Sequence, residues 1–147
     1  MRIRTILVPV DFSPHSDAAL ETAIGFARSL DARVELLHCY EVGLHWSTAY
    51  DVLFPEELWK PIRIVAKRKL IACADRVREA GLDVGTHLTT KPPRQAIPDE
   101  AARIDADLIV MATRGVGGVK HLLLGGVAMH IVRAAPCPVM TVTTPRD

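Results

Sequence analysis

The 147 residues carry 18 Lys and Arg against 17 Asp and Glu, a formal charge of +1, so no broad field of either sign favours a nucleic acid or an anionic membrane as partner. That length suits one domain, residues 1–147, with a substantial core; at 49% hydrophobic but only 5% aromatic residues, the core must be built from Ala, Val, Leu and Ile. The three cysteines, Cys39, Cys73 and Cys137, stand far apart with no CxxC pair, which argues against a secreted disulfide framework and for reduced thiols.

Met1-Arg-Ile-Arg-Thr5 opens with positive charge, but the apolar run behind it ends at Asp11. It is too short for a signal peptide or a membrane span, so a cytoplasmic protein is expected. Ile3 to Val10 reads as a first strand. Asp11-Phe-Ser13-Pro14 reads as the turn into a helix, with Ser13 as N-cap and Pro14 at the first helical position. Leu20, Ala23, Ile24, Ala27 and Leu30 recur at helical spacing, which gives that helix one apolar face to lay on a sheet. Arg33 to Cys39 is a second strand. Tyr40 to Phe54 has no clear period and is the one long irregular connection, a candidate lid, partner surface or mobile segment.

Pro55 opens a long helix with an apolar stripe of Leu58, Ile62, Ala66, Leu70, Cys73 and Val77, closed by Ala80-Gly81. Leu82 to Thr89 alternates as a third strand. Pro92-Pro93 leads into a shorter helix around Gln95 to Ile104, which Pro98 is expected to kink or delay. Leu108 to Met111, a continuous apolar run, is a fourth strand; about Val127 to Ala134 is a fourth helix, and Val139 to Thr143 a last strand. Strand and helix thus alternate five times. This predicts an α/β fold, a three-layer α/β/α sandwich around a five-stranded, mostly parallel, Rossmann-like sheet. Ligands of such sheets sit at the carboxyl ends of the strands, where Pro9-Val10-Asp11, Cys39-Tyr40 and Ala112 to Gly118 all fall.

The fourth strand runs into a loop with Gly115, Gly117, Gly118, Gly125 and Gly126, directly before a helix. Glycines let backbone amides approach an anion, and a helix start adds unpaired N–H groups and a positive dipole end. This is the build of a phosphate-binding site.

Here the chain resembles the universal stress protein family, whose nucleotide-binding members carry Gly, two residues, Gly, nine residues, Gly, then Ser or Thr. This sequence has Ala112, two residues, Gly115, nine residues, Gly125, then Gly126. The spacing fits, with Ala112 in place of the first glycine and Gly126 in place of the hydroxyl residue that faces the phosphates. The lost hydroxyl corresponds to about 1.5–3 kcal/mol of binding. Ile6 to Ser13, Leu36 to Cys39, Ala106 to Gly115 and Val132 to Val139 resemble further segments of the family in its own order, so the likeness covers nearly the whole chain.

The resemblance implies an adenine-nucleotide site made by Pro9, Val10, Asp11, Cys39, Ala112, Thr113, Arg114, Gly115, Gly117, Gly118, Gly125, Gly126, Val127 and Ala128. Pro9 and Val10 would border the adenine and Asp11 would hold the ribose or a cation; the bland reading of Asp11 is a cap closing its turn. Mg²⁺ would be held between phosphate oxygens and water, without a protein cage. The resemblance also implies a homodimer through the last strand, Pro138, Val139, Met140, Thr141, Val142 and Thr143, since pairing two copies covers an exposed edge.

Other groups read more plainly. Asp11, Ser13, His15, Ser16 and Asp17 contain the letters of a hydrolase triad but crowd into one turn, with no GxSxG elbow. His38, Cys39, Cys73 and Cys137 lack the paired short spacings of a zinc site. Arg63, Lys67-Arg-Lys69 and Arg76 read as a solvated helix face. Arg114, Lys120 and His121 interrupt the glycine loop, either at the rim of the phosphates or facing solvent, and Lys91 stands where many relatives carry glycine. The expected function is an ATP-dependent stress sensor or regulator, at most a slow ATPase. The alternatives are a dimeric interaction module that binds no nucleotide and works through an unidentified protein partner, or an adenylyl- or phosphoryl-transfer enzyme.

Overall fold

The computed structural model describes residues 1–40, 56–115 and 124–144. Its elements run β1 (Thr5–Pro9), α1 (Pro14–Leu30), β2 (Arg33–Cys39), α2 (Glu56–Glu79), β3 (Val84–Thr89), α3 (Pro93–Arg103), β4 (Leu108–Ala112), α4 (Gly126–Ala134) and β5 (Val139–Val142). The five strands form one sheet in the order β3-β2-β1-β4-β5, and every pairing is parallel. The α/β architecture expected from the alternation of elements is the one found.

β1 and β4 are apolar at successive residues because both faces of the sheet are covered there. Ile6, Val8, Val34, Leu36 and Val110 pack on one face with Leu20 and Ile24 of α1 and Leu70 and Val77 of α2. Leu7, Leu37, Ile109 and Met111 pack on the other with Ile97 and Ala101 of α3 and Ala128 and Ile131 of α4. Side chains of consecutive strand residues point to opposite faces, so each of β1, β2 and β4 feeds both layers. Among the described residues no helix is long and apolar enough to cross a membrane.

α1 starts as its sequence predicts: Ser13 Oγ accepts the Ser16 N–H at 3.2 Å and Pro14 is the first helical residue. It ends at Asp31, whose φ of 54° is the left-handed conformation that closes helices. Four details differ from expectation. Pro98 lies inside α3, which continues through it from Pro93 to Arg103, and it offers no N–H to the Arg94 carbonyl four residues back. The stripe of α2 is buried at Ala66, Leu70, Cys73 and Val77, but Leu58 and Ile62 are 58% and 42% exposed among the described residues. α4 begins one residue early, at Gly126, with Gly125 as N-cap. β5 ends at Val142, leaving Thr143 outside the strand.

Candidate functional site

β1 lies at the centre of the sheet, with β2 and β3 on one side and β4 and β5 on the other. Strand order reverses between β1 and β4, so the connections leaving their carboxyl ends diverge and open a crevice. Pro9, Val10 and Asp11 stand at the end of β1, Ala112 to Gly115 at the end of β4, Cys39 at the end of β2, and Gly125 to Ala128 at the start of α4. Gly117, Gly118, Lys120 and His121 lie outside the described residues, as do residues 41–54.

Three contacts bind these segments together. A Cβ placed on Gly115 would stand 2.5 Å from Asp11 Oδ2, so the carboxylate at the end of β1 lies directly against the loop that leaves β4. The Gly125 N–H donates to the Thr113 carbonyl at 2.6 Å, closing the glycine loop at its base, and a Cβ on Gly125 would crowd that carbonyl at 3.0 Å. Thr113 in turn donates its N–H to Val142 of β5 at 3.0 Å. Thr113 is only 5% exposed, so its backbone clamps the loop while its side chain lies in the interior.

The first bond within α4 runs from Met129 N–H to the Gly125 carbonyl at 2.9 Å. The N–H groups of Gly126, Val127 and Ala128 therefore have no acceptor inside the helix. Its first turn holds no acidic residue and no side-chain cap among the described residues, so the helix itself does not compensate its positive dipole end. Ala128 is 2% exposed and its side chain belongs to the core, so it offers only backbone. A helix start of this kind is the general form of an anion-binding backbone.

Asp11 performs the capping role considered for it and lies beside the loop that leaves β4. Its Oδ1 accepts the Ser13 N–H at 3.0 Å and closes the turn into α1, while Oδ2 lies over Gly115. Phe12 follows at φ 63°, a strained conformation for a bulky residue. Its ring lies 4.2 Å from that of His38, and the Lys69 ammonium stands 5.7 Å above it. His38 places Nδ1 2.7 Å from the Val10 carbonyl, so Nδ1 carries a proton toward it. Burial holds the His38 pKa below its ordinary value, against the raising effects of that hydrogen bond and of the Asp11 charge. Burial also pushes the Cys39 thiol up to about 11, so Cys39, at the end of β2, is an inert thiol.

The groups of the first turn of α1 are occupied structurally. Ser13 caps, the Ser16 hydroxyl donates to the Ser13 carbonyl at 3.2 Å, His15 Nδ1 meets Thr144 Oγ1 at 2.6 Å, and Asp17 pairs with Arg76 at 2.9 Å. Cys73 packs on the α1 and α2 face of the sheet while Cys39 and Cys137 pack on the other, and no metal-ligating cluster occurs among the described residues. A charged group absent from the sequence reading sits at the opposite end of the sheet. There Glu35, with its side chain 5% exposed, pairs with Arg33 and takes His87 Nε2 at 2.6 Å; His87 Nδ1 meets Glu100 at 2.9 Å, and Arg103 holds Glu100 at 2.5 Å. The signal for it was a lone Glu inside the apolar run Val34 to Leu37.

The Universal stress protein family model matches residues 2–143. A universal stress protein assigned in Staphylococcus aureus (strain USA300) is 33% identical over 144 residues, 96% of this chain and 84% of that protein. The structure of the universal stress protein UspA from Lactobacillus plantarum superposes with a TM-score of 0.84 at 26% identity, covering 97% of this chain and 99% of that one. The universal stress protein from Archaeoglobus fulgidus in complex with dAMP gives 0.67 at 26% identity, covering 96% and 98%.

Proposed function

The chain belongs to the universal stress protein family, and on that premise we propose that it binds an adenine nucleotide at the β1–β4 crevice and serves as a cytoplasmic, homodimeric stress sensor or regulator. The observation that carries the reading is the closure of the glycine loop by Gly125 and Thr113, which sets the start of α4 against Thr113 and Arg114, next in the chain to the Gly115 that the Asp11 carboxylate touches. The relative from Archaeoglobus fulgidus, similar over 96% of this chain, is a dAMP complex, which supports an adenine nucleotide as the ligand class.

In this reading the ligand is ATP. The N–H groups of Gly126, Val127 and Ala128 donate to phosphate oxygens, the backbone of Pro9 and Val10 borders the adenine, and Asp11 holds the ribose. Mg²⁺, when bound, neutralises charge between phosphate oxygens and water. Among the described residues of the loop, Ala112, Thr113, Gly115, Gly125 and Gly126 supply no general base, so the site retains nucleotide and turns it over slowly at most. Two copies pair through the open edge of β5.

The test is native mass spectrometry of the purified protein, followed by titration of the stripped protein with ATP and Mg²⁺. A dimer that retains adenine nucleotide, or binds ATP at micromolar concentration, supports the reading. A protein that ignores millimolar ATP overturns it and leaves the interaction module that acts without nucleotide.

A further inference from the structure

We propose that Arg94 is a phosphate ligand of this site, its guanidinium standing where the family's Ser or Thr hydroxyl is missing at Gly126. The proposal rests on the nucleotide reading above and adds the residue that sets its selectivity.

A Cβ on Gly126 would lie 2.8 Å from Arg94 Nη2 and 4.0 Å from its Cζ. Arg94 is exposed, and its guanidinium reaches across from α3 to the space above Gly126, the first residue of the helix whose leading N–H groups have no acceptor within it. Gly126 and Arg94 form a matched pair: the absence of a side chain at one position makes room for the cation from the other. The 32 residues that separate them in sequence are why reading the loop alone finds only a deletion.

The charge pattern points to an anion. Arg94 is the second helical residue of α3, after N-cap Pro92 and Pro93, and the first turns of α3 and α4 contain no acidic residue. A cation placed at the positive ends of two helices is disfavoured by both dipoles, and a bound anion reverses that sign. Neighbouring cations are satisfied elsewhere: Lys91 pairs with Asp99 at 3.2 Å, and Arg103 with Glu100. Among the described residues Arg94 has no such partner. The two prolines fix the chain just before it, so its backbone is already in place when a ligand arrives.

A guanidinium gives a phosphate a planar fork and a full charge, where a hydroxyl gives one neutral donor. The site should therefore favour nucleotides with a long phosphate chain over adenosine more strongly than one hydroxyl would.

Calorimetric titration of ATP and adenosine into wild type, Arg94→Gln and the double variant Arg94→Gln with Gly126→Ser tests this. In Arg94→Gln, ATP should bind about tenfold or more weakly while adenosine is unchanged. The double variant should recover part of that loss, since the new hydroxyl enters the vacated space. A ratio of ATP to adenosine affinity that Arg94→Gln leaves within about twofold of wild type overturns the role of Arg94 while the nucleotide reading stands. Failure of the double variant to recover any affinity overturns the claim that both groups share one place. Wild type that binds neither compound overturns both readings together.

Discussion

The Asp11 carboxylate rests on Gly115: a side chain at residue 115 would place its Cβ 2.5 Å from Oδ2. The other carboxylate oxygen holds the Ser13 N–H at 3.0 Å, so Asp11 cannot withdraw without loosening the turn into α1. Gly115→Ala should therefore weaken ATP binding about tenfold and lower stability by about 1 kcal/mol. Calorimetry and urea denaturation read both effects. An unchanged affinity would show that the contact between the β1 and β4 ends does not shape the ligand site.

Two other glycines should respond with opposite signs. Gly85 of β3 lies across the buried Glu35 carboxylate, which a Cβ there would overlap. Gly85→Ala must displace a carboxylate paired with Arg33 and His87, and the expected loss is about 2–4 kcal/mol. Gly25 sits inside α1 with nothing within 4 Å of an added Cβ, so Gly25→Ala should gain about 0.5–1 kcal/mol. Midpoints of urea unfolding decide both, and a stable Gly85→Ala would mean that Glu35 relocates freely.

The contrast shows where the sequence was legible. Leu108 to Met111 is apolar at every residue because helices cover both faces of β4, so a local run identified the strand. Ser13-Pro14 marked the start of α1 because capping is decided within four residues. Gly125, read as standing just before a helix, is the N-cap of α4 for the same local reason. What stayed hidden depends on partners distant in the chain: Glu35 with His87 and Glu100, and Arg94 with Gly126, where Gly126 alone shows only a missing side chain. The apolar period of α2 was read correctly, but period cannot say how far a sheet extends, and Leu58 and Ile62 fall outside the buried part.

Stability should fall with acid in two separate windows. Burial depresses the His38 pKa, so below about pH 6.5 the unfolded chain binds a proton that the folded one resists. Stability then declines as pH falls through that window and levels off below the folded pKa. Glu100 is held below the carboxylate range chiefly by its hydrogen bond with Arg103, aided by the charges of His87 and Lys91 and opposed by burial. Its contribution is complete above about pH 4.3 and is lost as pH falls toward the folded pKa. Urea midpoints measured across pH should show His38→Gln flattening the upper limb and Glu100→Gln the lower one. A His38→Gln profile parallel to wild type between pH 7 and about 5.5 would remove His38 as the source of the upper limb.

The parity of β5 gives a test of the proposed dimer that leaves the fold intact. Pro138 accepts the Ile109 N–H and Val142 accepts the Thr113 N–H, each at 3.0 Å. Backbone groups of alternate residues point to opposite sides of a strand, so Pro138, Met140 and Val142 face β4, while Val139 and Thr141 face the open edge. An antiparallel second copy would use the Thr141 N–H. Thr141→Pro deletes that donor without touching the β4 ladder, and proline is tolerated on an edge whose N–H faces outward. Met140→Pro deletes a donor to β4 and should cost about 3 kcal/mol or more in stability. By analytical ultracentrifugation Thr141→Pro should be a folded monomer at concentrations where wild type is a dimer. A Thr141→Pro protein that dimerises as tightly as wild type would exclude β5 as the contact, because no antiparallel ladder at that edge survives loss of its central donor.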